Sequence, residues 1–148
     1  MHTYKKILVA IDFSDYGNLV ANQARFITDT FQAELHVIHV LDNIPMPDTP
    51  YGALITLDQP SKDLLLQAEK NKFTQICDAM HIAPANRWLI WGVPQEEITR
   101  FAMQEKMDLI IVGSHGRHGL TALLGSTAKN VIFHAECDVM TVHLRDDQ

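Results

Sequence analysis

Residues Gly113 to Thr127 read GSHGRHGLTALLGST, and they continue directly from the apolar run DLIIVG, Asp108 to Gly113. A short strand-like run, then a glycine-rich turn, then the opening of a helix is how an α/β protein builds an anion site. Glycine lets the backbone approach a ligand closely and take up positive φ. The first turn of the following helix contributes unpaired N–H groups and the positive end of its dipole. Glycine-rich turns also merely reverse a chain, so the meaning of this one depends on where it sits.

Working outward, strand patterns and helix patterns alternate. KKILVAI (Lys5 to Ile11) is a continuous apolar run rich in branched residues, as expected of a strand covered on both faces. Ser14 is placed to cap a helix in which Val20, Ala24, Ile27 and Phe31 recur at helical spacing. ELHVIHVL (Glu34 to Leu41) is a second strand, and Ser61 to Met80 reads as a helix facing inward with Leu65, Ala68, Phe73, Ile76 and Met80. RWLIW (Arg87 to Trp91) is a third strand. Pro94 opens the next helix, with Glu96 and Glu97 in its positive first turn and Ile98, Phe101 and Ala102 turned inward. After the glycine-rich segment come a short helix, about Ser126 to His134, and a fifth strand, DVMTVHL (Asp138 to Leu144). Strands separated by helices predict an open five-stranded parallel sheet with helices on both faces.

One segment breaks the alternation. Asp42 to Pro60 carries Pro45, Pro47, Pro50 and Pro60 and continues neither neighbour. It leaves the carboxyl end of the second strand, where ligands bind in open α/β sheets. Two readings stand: a mobile flap over a pocket, or a passive surface loop. Nothing divides the chain, and residues 1–148 are expected to form one domain.

Composition narrows the function classes. Hydrophobic residues make up 47% and charged residues 20% of 148, which suits a globular domain with a sizeable core. A net charge of −6 without a basic stripe argues against nucleic acid as partner. No apolar run approaches membrane-spanning length, and MHTYKK lacks the apolar region and cleavage site of a signal peptide, so a cytoplasmic location is expected. Cys77 and Cys137 stand on separate elements without metal-like spacing and read as buried free thiols.

KKILVAIDFSD, ELHVIHVLD, DLIIVGSHGRHGL and LLGSTAKNVIFHAECDVMTV, in that order, resemble the universal stress protein family. The resemblance runs nearly end to end and is weakest across the proline-rich segment and the middle helix. It implies a fold of the adenine nucleotide alpha hydrolase type, with a nucleotide-like crevice at the carboxyl edge of the sheet. Some members bind ATP and some do not. By position, Asp12 with Ala10 falls where the family contacts adenosine, and Val40 where backbone groups meet adenine. Gly113 and Gly116 fall on the ribose and phosphate side, with His115 and Arg117 in the same loop. Gly125, Ser126 and Thr127 fall where the phosphates are received. The implied cofactor is ATP or another adenine nucleotide, with Mg²⁺ as its companion ion.

The sequence departs from the motif of the ATP-binding members, Gly-x2-Gly-x9-Gly-Ser/Thr. Eight residues, RHGLTALL, lie between Gly116 and Gly125. One missing residue displaces the helix start by about 1.5 Å if helical or about 3.3 Å if extended. The loop must re-route, with Gly119 able to absorb strain, or the phosphate nest is mis-set. The shorter spacing leaves open an alternative class, a dimeric scaffold that works only through protein partners.

The residues carry their own chemistry. A carboxylate at Asp12 is costly to bury uncovered, and it can accept hydrogen bonds from a ribose hydroxyl or an adenine amino group. Its other reading is a cap on the following helix start. Ser126 and Thr127 would cap a helix whether or not phosphate is present. Arg117 offers charge-assisted contacts to phosphate, or it is a solvated loop arginine. His36 and His39, three apart on a strand, point to opposite faces and cannot chelate together. His115 and His118 share the glycine-rich loop, yet no Cys, Asp or Glu joins them at ligand spacing, so no metal site is expected. GST stands where a P-loop carries Gly-Lys-Ser/Thr, and no base or nucleophile stands out. The chain is therefore expected not to be an enzyme, a slow ATPase being the one activity left open.

The last strand bears on partners. Met140, Val142 and Leu144 share one face and Val139, Thr141 and His143 the other, a mixture too polar for a central strand. It reads as a sheet edge, and an unpaired edge invites a second chain. A two-fold homodimer through Asp138 to Leu144 is expected, mainly on the resemblance, with the charged tail RDDQ as the alternative protection.

Overall fold

Strand β2 (Glu34–Leu41) is buried at every position but its first, which is why apolar residues fall on both of its faces, with the hydrogen-bonded His36 and His39 among them. It lies inside a five-stranded sheet ordered β3-β2-β1-β4-β5, with β1 spanning Lys6–Ala10, β3 Arg87–Trp91, β4 Leu109–Gly113 and β5 Asp138–Val142. The computed structural model describes residues 3–14, 17–114 and 125–144. All four strand pairings are parallel, as the sequence predicts. The strands are one or two residues shorter than their apolar runs at β1, β4 and β5. Asp108 lies just before β4, where its carboxylate accepts the N–H groups of Lys5 and Lys6 at 2.9 and 2.8 Å and anchors the start of β1.

The helices cover both faces. Ile7, Val9, Val37, Leu41, Leu89 and Ile111 face α1 (Gly17–Phe31) and α2 (Leu64–Ala79). Their neighbours Leu8, Ile38, Val40, Ile90 and Ile110 face α3 (Pro94–Gln104) and α4 (Ser126–His134). α1 is described from Gly17 onward; residues 15 and 16 lie outside the described residues, and the cap position expected at Ser14 adjoins them. One correction arises in the first layer. α2 begins three residues later than Ser61 and is capped by Asp63, which accepts the N–H groups of Leu65 and Leu66. Its buried stripe is Lys70, Phe73 and Cys77, while Leu65 and Ala68 point to water. Lys70 is the reason for the misreading: its ammonium donates to the Gln59 carbonyl at 3.0 Å, which lets a lysine occupy an inward position.

The proline-rich segment packs against the sheet. It runs antiparallel along the outer edge of β3, with Gly52 N–H donating to Trp91 C=O, Trp91 N–H to Ala53 C=O and Ile55 N–H to Leu89 C=O. Ile44 and Ile55 are buried in the core. The segment thus covers a sheet edge that would otherwise present open ladder groups. At the opposite edge β5 pairs, among the described residues, only with β4 and is half-exposed along most of its length.

Candidate functional site

The order β3-β2-β1-β4-β5 places the reversal of winding between β1 and β4, the switch point at which open α/β sheets hold ligands. Ala10 pairs with Ile38 and Val9 with Ile111. The paired residues end just before Asp12, which follows β1 as Ser114 follows β4, both at the carboxyl ends of adjacent strands. Ala10 and Val40 pack on the α3–α4 layer; Val40 is buried, so only its backbone is placed to meet a ligand.

Asp12 stands just past the end of β1. One carboxylate oxygen accepts the Ser14 N–H at 3.0 Å, an Asx turn that leads the chain out of the sheet. The carboxylate thus makes a turn with Ser14, while residues 15 and 16, which precede the described part of α1, lie outside the described residues. Asp12 also borders a cleft of about 380 Å³ on the α1–α2 side, within the range of small-molecule pockets. Phe13, Ser14, Asn18, Lys72 and Gln75 line it.

The glycine-rich segment meets the same edge. Gly125 N–H donates to Ser114 C=O at 2.6 Å, so the start of α4 is tied to the residue that follows β4. Gly125 is the N-cap of α4, with φ −66° and ψ 158° and no side-chain cap bond. Ser126 and Thr127 are the first two helical residues, so neither serves as the cap the sequence also allowed. The Gly125 carbonyl opens the helical ladder by accepting Lys129 N–H at 3.0 Å. Among the described residues no side chain caps the first-turn N–H groups, an arrangement suited to an anion. His115, Gly116 and Arg117 lie outside the described residues, as does His118.

Ser114 is a site residue that sequence reasoning missed. It is 6% exposed and joins three elements: its N–H donates to Val142 C=O, its hydroxyl accepts Leu144 N–H at 3.0 Å, and its carbonyl holds Gly125. Its only sequence signal was a small polar residue between Gly113, which ends β4, and Gly116. The histidines separate as expected. His36 meets Trp88 and Glu34 on one layer, while His39 meets Ile11 and Phe13 on the other. The Trp88 indole can only donate, so His36 Nδ1 accepts at 3.0 Å and Nε2 carries the proton toward Glu34. Among the described residues no three metal-ligating side chains gather. Both cysteines are free; Cys77 is buried and Cys137 only half so, which corrects the expectation for the latter. No helix among the described residues is long and apolar enough to cross a membrane.

Comparison with known proteins matches this architecture to one group. The family model described as the universal stress protein family covers residues 3–143. Universal stress protein A homolog 2 of Coxiella burnetii is 33% identical over 98% of this chain and 99% of its own. The solved structure of protein MJ0577 of Methanocaldococcus jannaschii superposes with a TM-score of 0.76 at 25% identity, covering 98% of this chain and 99% of that one. A universal stress protein solved in complex with cAMP shares the fold, with a TM-score of 0.65 at 21% identity over 96% of this chain and 98% of its own. With a match over nearly the whole length and the switch-point architecture in place, the chain belongs to the universal stress protein family.

Proposed function

We propose that this protein binds ATP or a related adenine nucleotide at the β1–β4 switch point and acts as a ligand-responsive, homodimeric, cytoplasmic interaction module without catalytic turnover of its own. The observation that carries the reading is the pairing of β1 with β2 and β4 that ends just before Asp12, with the start of α4 tied to the end of β4 by the Gly125 to Ser114 bond. A carboxylate acceptor for hydroxyl or amino groups and an uncapped helix start for phosphate then share one edge. The cAMP complex of a protein with this fold supports an adenine nucleotide as the ligand class. Ala10, Asp12 and Val40 would hold the nucleoside; Gly113, His115, Gly116, Arg117, Gly125, Ser126 and Thr127 would hold ribose and phosphates, with Mg²⁺ entering on the nucleotide.

Dimerisation is proposed through β5. The proline-rich segment closes the β3 edge within the chain, so β5 is the edge left for a second copy among the described residues. The site is tested by calorimetric titration of Asp12→Ala and Gly125→Val with ATP and Mg²⁺. Loss of binding with an unchanged unfolding midpoint is expected in both, and wild-type affinity in both overturns the site assignment. Sedimentation velocity tests the dimer, for which a mass of two chains is expected.

A further inference from the structure

We infer that His39 is the positioning residue for Asp12, gripping the residues on either side of it from the neighbouring strand. This rests on the nucleotide-binding reading above for its consequence, though not for its geometry. The parallel register brings Ala10 opposite Ile38, so Ile11 and His39 are the next pair, at the point where β1 ends and the chain must turn out of the sheet. There the imidazole itself engages the facing chain. His39 Nδ1 lies 2.7 Å from the Ile11 carbonyl oxygen, and the ring lies against Phe13 with centroids 4.0 Å apart and planes 30° apart. Ile11 precedes Asp12 and Phe13 follows it. One buried ring, 6% exposed, therefore fixes both flanks of the carboxylate, and Asp12 adds the turn to Ser14 N–H at 3.0 Å.

The donor is unambiguous, because a carbonyl only accepts: Nδ1 carries the proton. Phe73 backs the ring at 6.4 Å, and Lys72 holds the far side of Phe13 with its ammonium 5.8 Å from the ring centroid. The imidazole thus has one face on Phe13 and little room to rotate. A side chain without the donor leaves a buried carbonyl unpaired beside Asp12, and the loop is then free to relax away from the sheet. Preorganisation of a binding carboxylate depends on such supporting bonds.

The test is a set of variants with two readouts. His39→Phe keeps a ring against Phe13 and removes the donor; His39→Asn places an amide donor near the Nδ1 position and removes most of the ring. In His39→Phe, solvent exchange of the Ser14 amide, followed by NMR, should accelerate about tenfold and the ATP dissociation constant should rise about tenfold. In His39→Asn both should stay within about threefold of wild type. Equal effects in the two variants, or no change in Ser14 exchange in His39→Phe, would overturn the inference. The wild-type protein gives an independent reading through the ¹⁵N spectrum of its histidines: a proton on Nδ1 of His39 is expected, and an Nε2–H tautomer with bare Nδ1 contradicts the geometry. Should wild type bind no ATP, the nucleotide reading fails, while Ser14 exchange and the tautomer still decide the role of His39.

Discussion

Replacing Ser114 with alanine removes one hydroxyl from the junction of β4, β5 and α4. The hydroxyl accepts Leu144 N–H at 3.0 Å, and Leu144 is 1% exposed, so water cannot replace the lost acceptor. Leaving a buried N–H unpaired costs about 1–3 kcal/mol. The Ser114 N–H to Val142 and Gly125 N–H to Ser114 bonds are backbone bonds and persist in alanine. The loss is therefore confined to the hydroxyl. For a domain of this length about 1 kcal/mol lowers the unfolding midpoint by roughly 2–4 °C, so Ser114→Ala should melt roughly 2–12 °C below wild type. Hydrogen exchange adds location: the Leu144 amide should lose protection while Ile110 and Val37, deep in the sheet, shift only with global stability. An unchanged midpoint with an unchanged Leu144 amide would refute the assignment of Ser114 as the junction residue.

Other outcomes follow from the same structure. Gly92 has φ +155°, and a Cβ there would stand 2.7 Å from Cγ of Glu97, a side chain 3% exposed and held by Arg100. Gly92→Ala should cost about 2–5 kcal/mol by denaturant titration, combining backbone strain with overpacking. Burial pushes the Cys77 thiol up to about 12 and also raises Cys137. Alkylation of the native protein at pH 8 should reach the half-buried Cys137 well before Cys77, with both reacting together in denaturant. A thiol raised in the fold stabilises it below its unfolded value near 9, and that contribution is lost as pH climbs toward 12. Stability measured across pH 9 to 12 should therefore fall, and less steeply in Cys77→Val. Phe73, wholly buried beneath α2, should cost about 3–5 kcal/mol on truncation to alanine, measured by chemical denaturation.

Much of this was legible in the residues themselves. Glu34–Leu41 and Arg87–Trp91 could be read to the residue, because a strand covered on both faces carries apolar residues on both of them and each run is bounded by polar or turn residues. The short helix Ser126–His134 was readable from the glycine before it. What escaped depends on partners distant in sequence. Lys70 occupies an inward position only because the Gln59 carbonyl waits there. Glu97, expected in a helix first turn for its charge, is buried because Gly52 and Gly92 lack the side chains that would exclude it. The proline-rich segment gave no strand signal, since its pairing with β3 uses backbone groups of Gly52, Ala53 and Ile55 rather than any repeating pattern. The site divides the same way. Asp12 and Gly125 announced themselves by residue type beside a strand end, whereas Ser114 and His39 acquire their roles only once β5 and β1 are laid beside them.

The most direct measurement is calorimetric titration of the wild-type protein with ATP and Mg²⁺, after the purified material has been checked for nucleotide carried through purification. The account predicts one site per chain with a micromolar dissociation constant, about −8 kcal/mol of binding free energy, despite the eight-residue spacing between Gly116 and Gly125. No heat and no co-purified nucleotide would contradict it. The glycines would then serve only to join β4 to α4, and the protein would act as a scaffold through the β5 edge.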